Sequence, residues 1–240
     1  MIFPRTIFRP RLAIIFLLAF ALLPTILSAQ SSPSRSGPTK LAKKSSDSLD
    51  PGTITNGVYQ NKTFAMACKI PDGWVLRTDE LNALDEKEKD EKEKDEKEKQ
   101  EENSKADDKS AASGAGAKVL LAAFSRPPEA KGEEINASIL IAAESTASYP
   151  GLTEAAQYFA PLIEVTKAQG FQLDEDPYAI AIGNKTLARG DFHKDRGTRV
   201  MRQSTLVTLS HGYAVSITVI AGTDDDVEDL IDGLSFGAGK

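Results

Sequence analysis

The stretch from Pro177 to Phe236 constrains the fold more than any other part of the chain. Residues 178–182, 185–193, 198–209 and 213–221 read as extended segments. Between them stand Gly183-Asn184, Asp195-Arg196-Gly197 and Ser210-His211-Gly212. Gly-Asn in a two-residue loop and short Gly-containing loops are hairpin chemistry, so this pattern predicts four consecutive antiparallel strands. In the last of them Tyr213, Val215, Ile217 and Val219 alternate with Ala214, Ser216, Thr218 and Ile220, the period of a strand. Thr223 then precedes three aspartates, and Val227, Leu230, Ile231 and Leu234 follow at helical spacing. That predicts a capped amphipathic helix, with Asp224, Asp225 and Asp226 complementing the exposed N–H groups and dipole of its first turn rather than holding calcium.

Upstream, Phe64, Met66, Cys68 and Ile70 share one face of a predicted strand, which makes Cys68 a core residue rather than a nucleophile. As the only cysteine in the chain, it excludes an intrachain disulfide. Pro71-Asp72-Gly73 is a turn, and Trp74-Val75-Leu76 resumes an extended run. Residues 119–124 and 135–143 predict a hairpin, and a helix is expected over roughly 152–169. Leu152, Ala156, Phe159 and Ile163 form its expected buried face, Pro161 breaks or kinks it, and Gly170 stops it. Strands with two helices give an α+β class: an antiparallel β-sheet flanked by α-helices.

The ends and one insertion are different in character. Arg5, Arg9 and Arg11, an apolar run from Leu12 to Leu23 and a Leu27-Ser28-Ala29 end read as a secretory signal peptide over 1–29, cut after Ala29. The apolar run is short for a spanning helix and is followed by Pro24, so no membrane span is expected in the mature chain. Cleavage removes three arginines and takes the formal charge from -6 to -9. An acidic chain of this kind is not a nucleic-acid binder. Residues 30–54, rich in Ser, Lys, Pro and Gly, read as a disordered leader. DEKEK then repeats in tandem over 85–99, within a charged low-complexity insertion over 78–116 that has no apolar stripe and so forms no coiled coil.

With these elements in place, Tyr59, Asn61 and Phe64, followed by Pro71, Gly73 and Trp74, resemble the Y-x-N-x-x-F…P-x-G-W opening of the PsbP-like superfamily, which takes in DcrB-like envelope proteins and the Ran-binding Mog fold. Ile182-Gly183-Asn184-Lys185 and the final Leu234-Ser235-Phe236 extend the resemblance over 55–77 and 117–240. It implies a PsbP-like α/β/α sandwich over 55–240 and a mostly non-catalytic binding or assembly role. It carries over neither the photosystem nor the Ran function.

No nucleophile elbow, P-loop, dinucleotide fingerprint or zinc spacing is present in the sequence, and no cofactor or metal is expected. The strongest chemical cluster is Arg189, Asp191 and His193 on one face of a strand, with Arg199 and Arg202 on the next. An acid orienting a histidine beside cations suits acid–base work or anion binding; the competing reading is a solvated sheet face with pairs across strands. The expected function is therefore an exported, periplasmic or secreted, non-enzymatic binding or assembly module of the cell envelope. Its partner would be an envelope or secreted protein. The alternative is a small-ligand-binding or hydrolase-like protein using the Arg189/Asp191/His193 face.

Overall fold

The computed structural model describes residues 49–87, 117–132 and 134–237. The expected signal peptide, the expected leader up to residue 48 and the DEKEK repeats beyond residue 87 lie outside the described residues. The chain begins with β1 (Thr53–Thr55), β2 (Val58–Asn61), β3 (Met66–Lys69) and β4 (Val75–Leu76). Residues 78–87 form α1. The hairpin β5 (Lys118–Phe124) and β6 (Ser138–Ser145) leads through two short 3-10 turns to α2 (Phe159–Ala168). β7 (Gln172–Leu173) precedes the meander of β8 (Tyr178–Ile182), β9 (Lys185–Arg196), β10 (Arg199–Ser210) and β11 (Tyr213–Ala221). α3 (Asp224–Asp232) and β12 (Leu234–Phe236) close the fold.

Eight strands build one antiparallel sheet in the order β4-β5-β6-β11-β10-β9-β7, with β8 also paired to β9. The four-strand meander stands as the sequence predicts, and its tightest turn shows why. His211 and Gly212 both take positive φ, 52° and 78°, the type I′ geometry that matches strand twist. His211 is thus a turn residue, its ring edge-on to Phe64 and its Nδ1 within 2.9 Å of the Ser210 hydroxyl.

Register decides what each face of the sheet does. Leu187, Leu206, Val215, Ile217, Val219, Leu121, Ile139 and Ile141 point to one side, where α3 and a second, four-stranded sheet (β1-β2-β3-β12) cover them. Phe64, Met66, Cys68 and Ile70 enter that core from the small sheet, as their spacing predicts. Ala188, Phe192, Val207 and Ala214 point to the other side and meet Tyr158, Phe159, Leu162 and Val165 of the α2 segment. The α+β class and the helix-flanked antiparallel sheet hold. The small sheet sharing one flank with α3 is the addition.

Three local expectations are corrected. The leader expected over 30–54 ends sooner. Leu49 already packs on the main core, and Asn61 Nδ2 and Tyr59 Oη donate to the carbonyls of Asp50 (2.9 Å) and Pro51 (3.1 Å), holding β1 in place. The insertion expected from residue 78 starts later. In α1 the Thr78 hydroxyl accepts from the Ala122 amide (2.9 Å), and the Asn82 amide pairs both ways with the Val119 backbone (2.9 and 3.1 Å). These side chains satisfy β5 backbone groups beyond the short β4, which would otherwise form an open sheet edge. Finally, the helix expected over 152–169 splits into a 3-10 turn at Ala155–Tyr158 and α2, which places Pro161 in a first turn that needs no N–H from it. The break resets the helical phase, so Phe159, Leu162, Val165 and Thr166 are buried while Ala156 is exposed.

Candidate functional site

Alternation along β9 puts Arg189, Asp191 and His193 on the face turned towards α3, as predicted. The partners differ from those expected. Arg189 Nε donates to both Asp191 oxygens (2.9 and 3.1 Å), and its terminal nitrogens bind Glu228 of α3. The Tyr178 hydroxyl on β8 donates to Asp191 Oδ2 (2.7 Å), and its ring centroid lies 5.9 Å from the Arg189 guanidinium carbon.

His193 is not oriented by Asp191. Its Nδ1 pairs with Asp174, because β7 lies beside β9 at that level, with Gln172 opposite His193. Arg202, opposite His193 on β10, reaches the same Asp174 (3.9 Å) and Asp224 of α3 (3.3 Å). Arg199 stands apart, 4.0 Å from Glu134.

The result is a lattice in two neighbouring parts, Arg189 with Asp191 and Glu228, and His193 and Arg202 with Asp174 and Asp224. Carboxylates outnumber bases, so the patch offers no positive excess to an anion. Burial alone would lower the Arg189 pKa, but hydrogen bonds and charge from Glu228 and Asp191 outweigh it and hold the guanidinium above its ordinary value. Burial, reinforced by Asp191, pushes the Tyr178 hydroxyl up to about 12. Ser204 is opposite Asp191 in register, but it is fully buried and its hydroxyl has no hydrogen-bond partner, so no substrate could reach it.

On the other flank is a polar cluster for which the sequence carries no motif. Buried Glu144 accepts from the hydroxyls of Tyr149 (2.9 Å) and Tyr158 (2.8 Å). Burial and then the Glu144 charge raise both phenols well above the usual tyrosine value. The cluster ties β6 to the 3-10 turn before α2 and has no opening. Cys68 is equally closed, with burial pushing its thiol up to about 12. Among the described residues, no three metal-ligating side chains converge.

An open concave surface lies elsewhere among the described residues. A cleft of about 640 Å³ runs between the β4–β5–β6 end of the large sheet and the start of α3. Trp74, Ile135, Ala137, Val200 and Leu230 supply its apolar lining. Glu134, Asp226, Asp229 and Arg199 stand around it, so of the five predicted site residues only Arg199 is present here. Thr223, the N-cap whose hydroxyl accepts from the Asp226 amide (3.1 Å), forms one lip. The residues missed from sequence are Trp74, Glu134, Ile135 and Asp229. The one available signal was a lone tryptophan straight after a Pro-Asp-Gly turn.

No protein-family model matches the chain, and no curated protein does. Among solved structures the chain is similar to the PsbP (CyanoP) protein of Synechocystis, with 14% identity, 82% of this chain and 99% of that one covered, and a TM-score of 0.39. It is also similar to LpqN of Mycobacterium tuberculosis, a protein involved in cell envelope biogenesis, with 15% identity, coverage of 78% and 85%, and a TM-score of 0.33. A protein of Bacteroides thetaiotaomicron matches at 10% identity and a TM-score of 0.37; 77% of this chain spans about half, 49%, of that one. The PsbP type that the sequence motifs resemble is thus among them. Within the described residues, no helix is long and apolar enough to cross a membrane.

Proposed function

We propose that the chain is an exported, non-enzymatic binding or assembly module of the cell envelope, and that it engages a partner polypeptide at the Trp74 cleft. The observation that carries this reading is the contrast between its two polar regions. The Arg189 lattice spends its charges on internal pairs, while the cleft is open and joins half-buried aromatic and aliphatic side chains to carboxylates. A concave apolar surface with a few convergent polar groups is the usual form of a binding site, and a half-buried tryptophan is a common energetic anchor in one. Among the described residues, the cleft hydroxyls are taken up locally: Ser125 donates to Asn136 (2.9 Å), and Thr223 donates to Asp226 (2.6 Å) while it caps α3. A hydrolase-like role for Arg189, Asp191 and His193 would need a reachable serine or cysteine, and Ser204, opposite Asp191, is buried, as is Cys68. Export rests on the Met1–Ala29 signal in the sequence.

The test is site-specific photocrosslinking in intact cells. A photoreactive residue at Ile135 should yield a discrete adduct in the envelope or secreted fraction, and one at Glu164, on the exposed side of α2, should not. Adducts from position 164 alone, or a chain retained in the cytosol with Met1 intact, would refute the proposal.

A further inference from the structure

Charge and shape in the cleft specify what it takes. Glu134, Asp226 and Asp229 face Arg199, three carboxylates against one guanidinium. Glu134 is already 4.0 Å from Arg199, and one oxygen of Asp226 accepts the Thr223 hydroxyl at 2.6 Å. Asp229 has no ion-pair or hydrogen-bond partner among the described residues, and the second Asp226 side-chain oxygen is similarly open. Asp226 and Asp229 are three apart on α3, so they share a side of the helix, next to Leu230 in the apolar lining. The start of α3 would itself repel a cation with about half a unit charge, but Asp224, Asp225 and Asp226 more than offset it.

We infer that the cleft binds a lysine- or arginine-bearing segment of the partner, with the aliphatic stem of the basic side chain on Trp74, Ile135 and Leu230 and its charged head between Asp226 and Asp229. This rests on the reading of the cleft as the partner site and names the partner's chemistry. Long basic side chains are suited to such a surface because their stems cover apolar area while the heads stay polar, and an indole face adds cation–π attraction. An acidic or wholly apolar segment would leave the free carboxylates unmatched.

Trp74 is the only tryptophan in the chain, so its fluorescence reports on the cleft alone. The probe is an end-capped tetralysine peptide, with capped tetraglutamate and tetraserine as controls. Tetralysine should shift Trp74 emission saturably, and the shift should weaken as salt rises. Asp229→Asn should weaken binding about fivefold, as expected for loss of one exposed charge contact, while Glu164→Gln on α2 leaves it unchanged. Matching circular-dichroism melts would establish that both variants are folded. Equal binding by all variants would mean only non-specific attraction to an acidic chain, and the inference falls. If tetraserine or tetraglutamate shifts Trp74 and tetralysine does not, the cleft still binds polypeptide but the basic partner is wrong. If no peptide shifts Trp74 while position 135 crosslinks, the same conclusion holds; if neither occurs, both proposals fall. The chain's own leader carries Arg35, Lys40, Lys43 and Lys44. Should replacing these four with Gln raise tetralysine affinity fivefold or more, the occupant is the leader and not a partner.

Discussion

Gly190→Ala is the substitution whose outcome the packing fixes most tightly. Gly190 sits in the middle of β9 on the face covered by α2, and a Cβ built there would lie 2.5 Å from Phe159 Cε1 and 3.0 Å from Cδ1. Ordinary contact begins at about 3.4 Å, so the ring must retreat by roughly 1 Å. Phe159 is 1% exposed and sits among Tyr158, Leu162, Phe192 and Val207, which leaves it nowhere to go. Overpacking of this kind costs about 1–3 kcal/mol. Replacing a strand glycine recovers about 0.5–1 kcal/mol of backbone entropy. The net expectation is a loss of about 1–2 kcal/mol, read from urea unfolding as a lower midpoint with an unchanged slope. Phe159→Leu should remove the clash, so in that background Gly190→Ala should cost less than about 0.5 kcal/mol, the non-additivity expected of residues in contact. A neutral or stabilising Gly190→Ala in the otherwise unchanged chain would refute the claim that Phe159 rests on bare backbone.

Two further outcomes follow from the polar groups. Arg189→Met should destabilise the fold by about 2–4 kcal/mol, short of a fully buried pair because Glu228 is half exposed, while leaving tetralysine binding within about twofold; loss of binding without loss of stability would make Arg189 a ligand residue instead. Alkaline pH should unfold the chain. Burial raises Cys68 from 9.0 to about 12 and Tyr59 from 10.0 to about 12. Both folded values lie above the unfolded ones, so this stability is fully present below pH ~9 and is lost as pH rises towards ~12. Far-UV circular dichroism should show the loss, and Cys68→Ala should delay its onset towards pH ~10; an unmoved onset would exclude the thiol as a contributor.

The strand pattern was legible because its determinants are local. Turn residues at 183–184 and 211–212, strict alternation in β11 and the Thr223 cap each act within a few residues of themselves, and each is found where the sequence puts it. The face of α2 was not legible. Helical phase depends on where the helix starts, and the capping box between Glu154 and Gln157 holds a 3-10 turn ahead of Phe159 that shifts the phase. The partner of His193 was hidden for another reason. Asp174 directly follows a two-residue strand, too short to leave a periodic signal, and it is brought to β9 only by the pairing of that strand. The cleft was least visible of all, since Trp74, Ile135, Arg199 and Asp229 come from four separate parts of the chain.

The acidic run that begins α3 reads in sequence as a single cluster, and the fold divides it. Successive residues on a helix turn through about 100°, so Asp224 and Glu228 share one side, Val227, Leu230 and Ile231 the next, and Asp226 and Asp229 the side beyond. The first pair meets Arg202 and Arg189, the second set enters the core, and the third faces the cleft. The lattice and the cleft are therefore two uses of one helix. Ion pairs on one side and apolar burial on the next hold α3 at both its first turn and its middle, which fixes the cleft wall before any partner arrives. A wall fixed in advance loses little freedom on binding, so weak individual contacts there can still sum to useful affinity. On this view Arg189 and Arg202 act on the fold and not on the ligand, pairing one side of the helix whose other side carries Asp226 and Asp229.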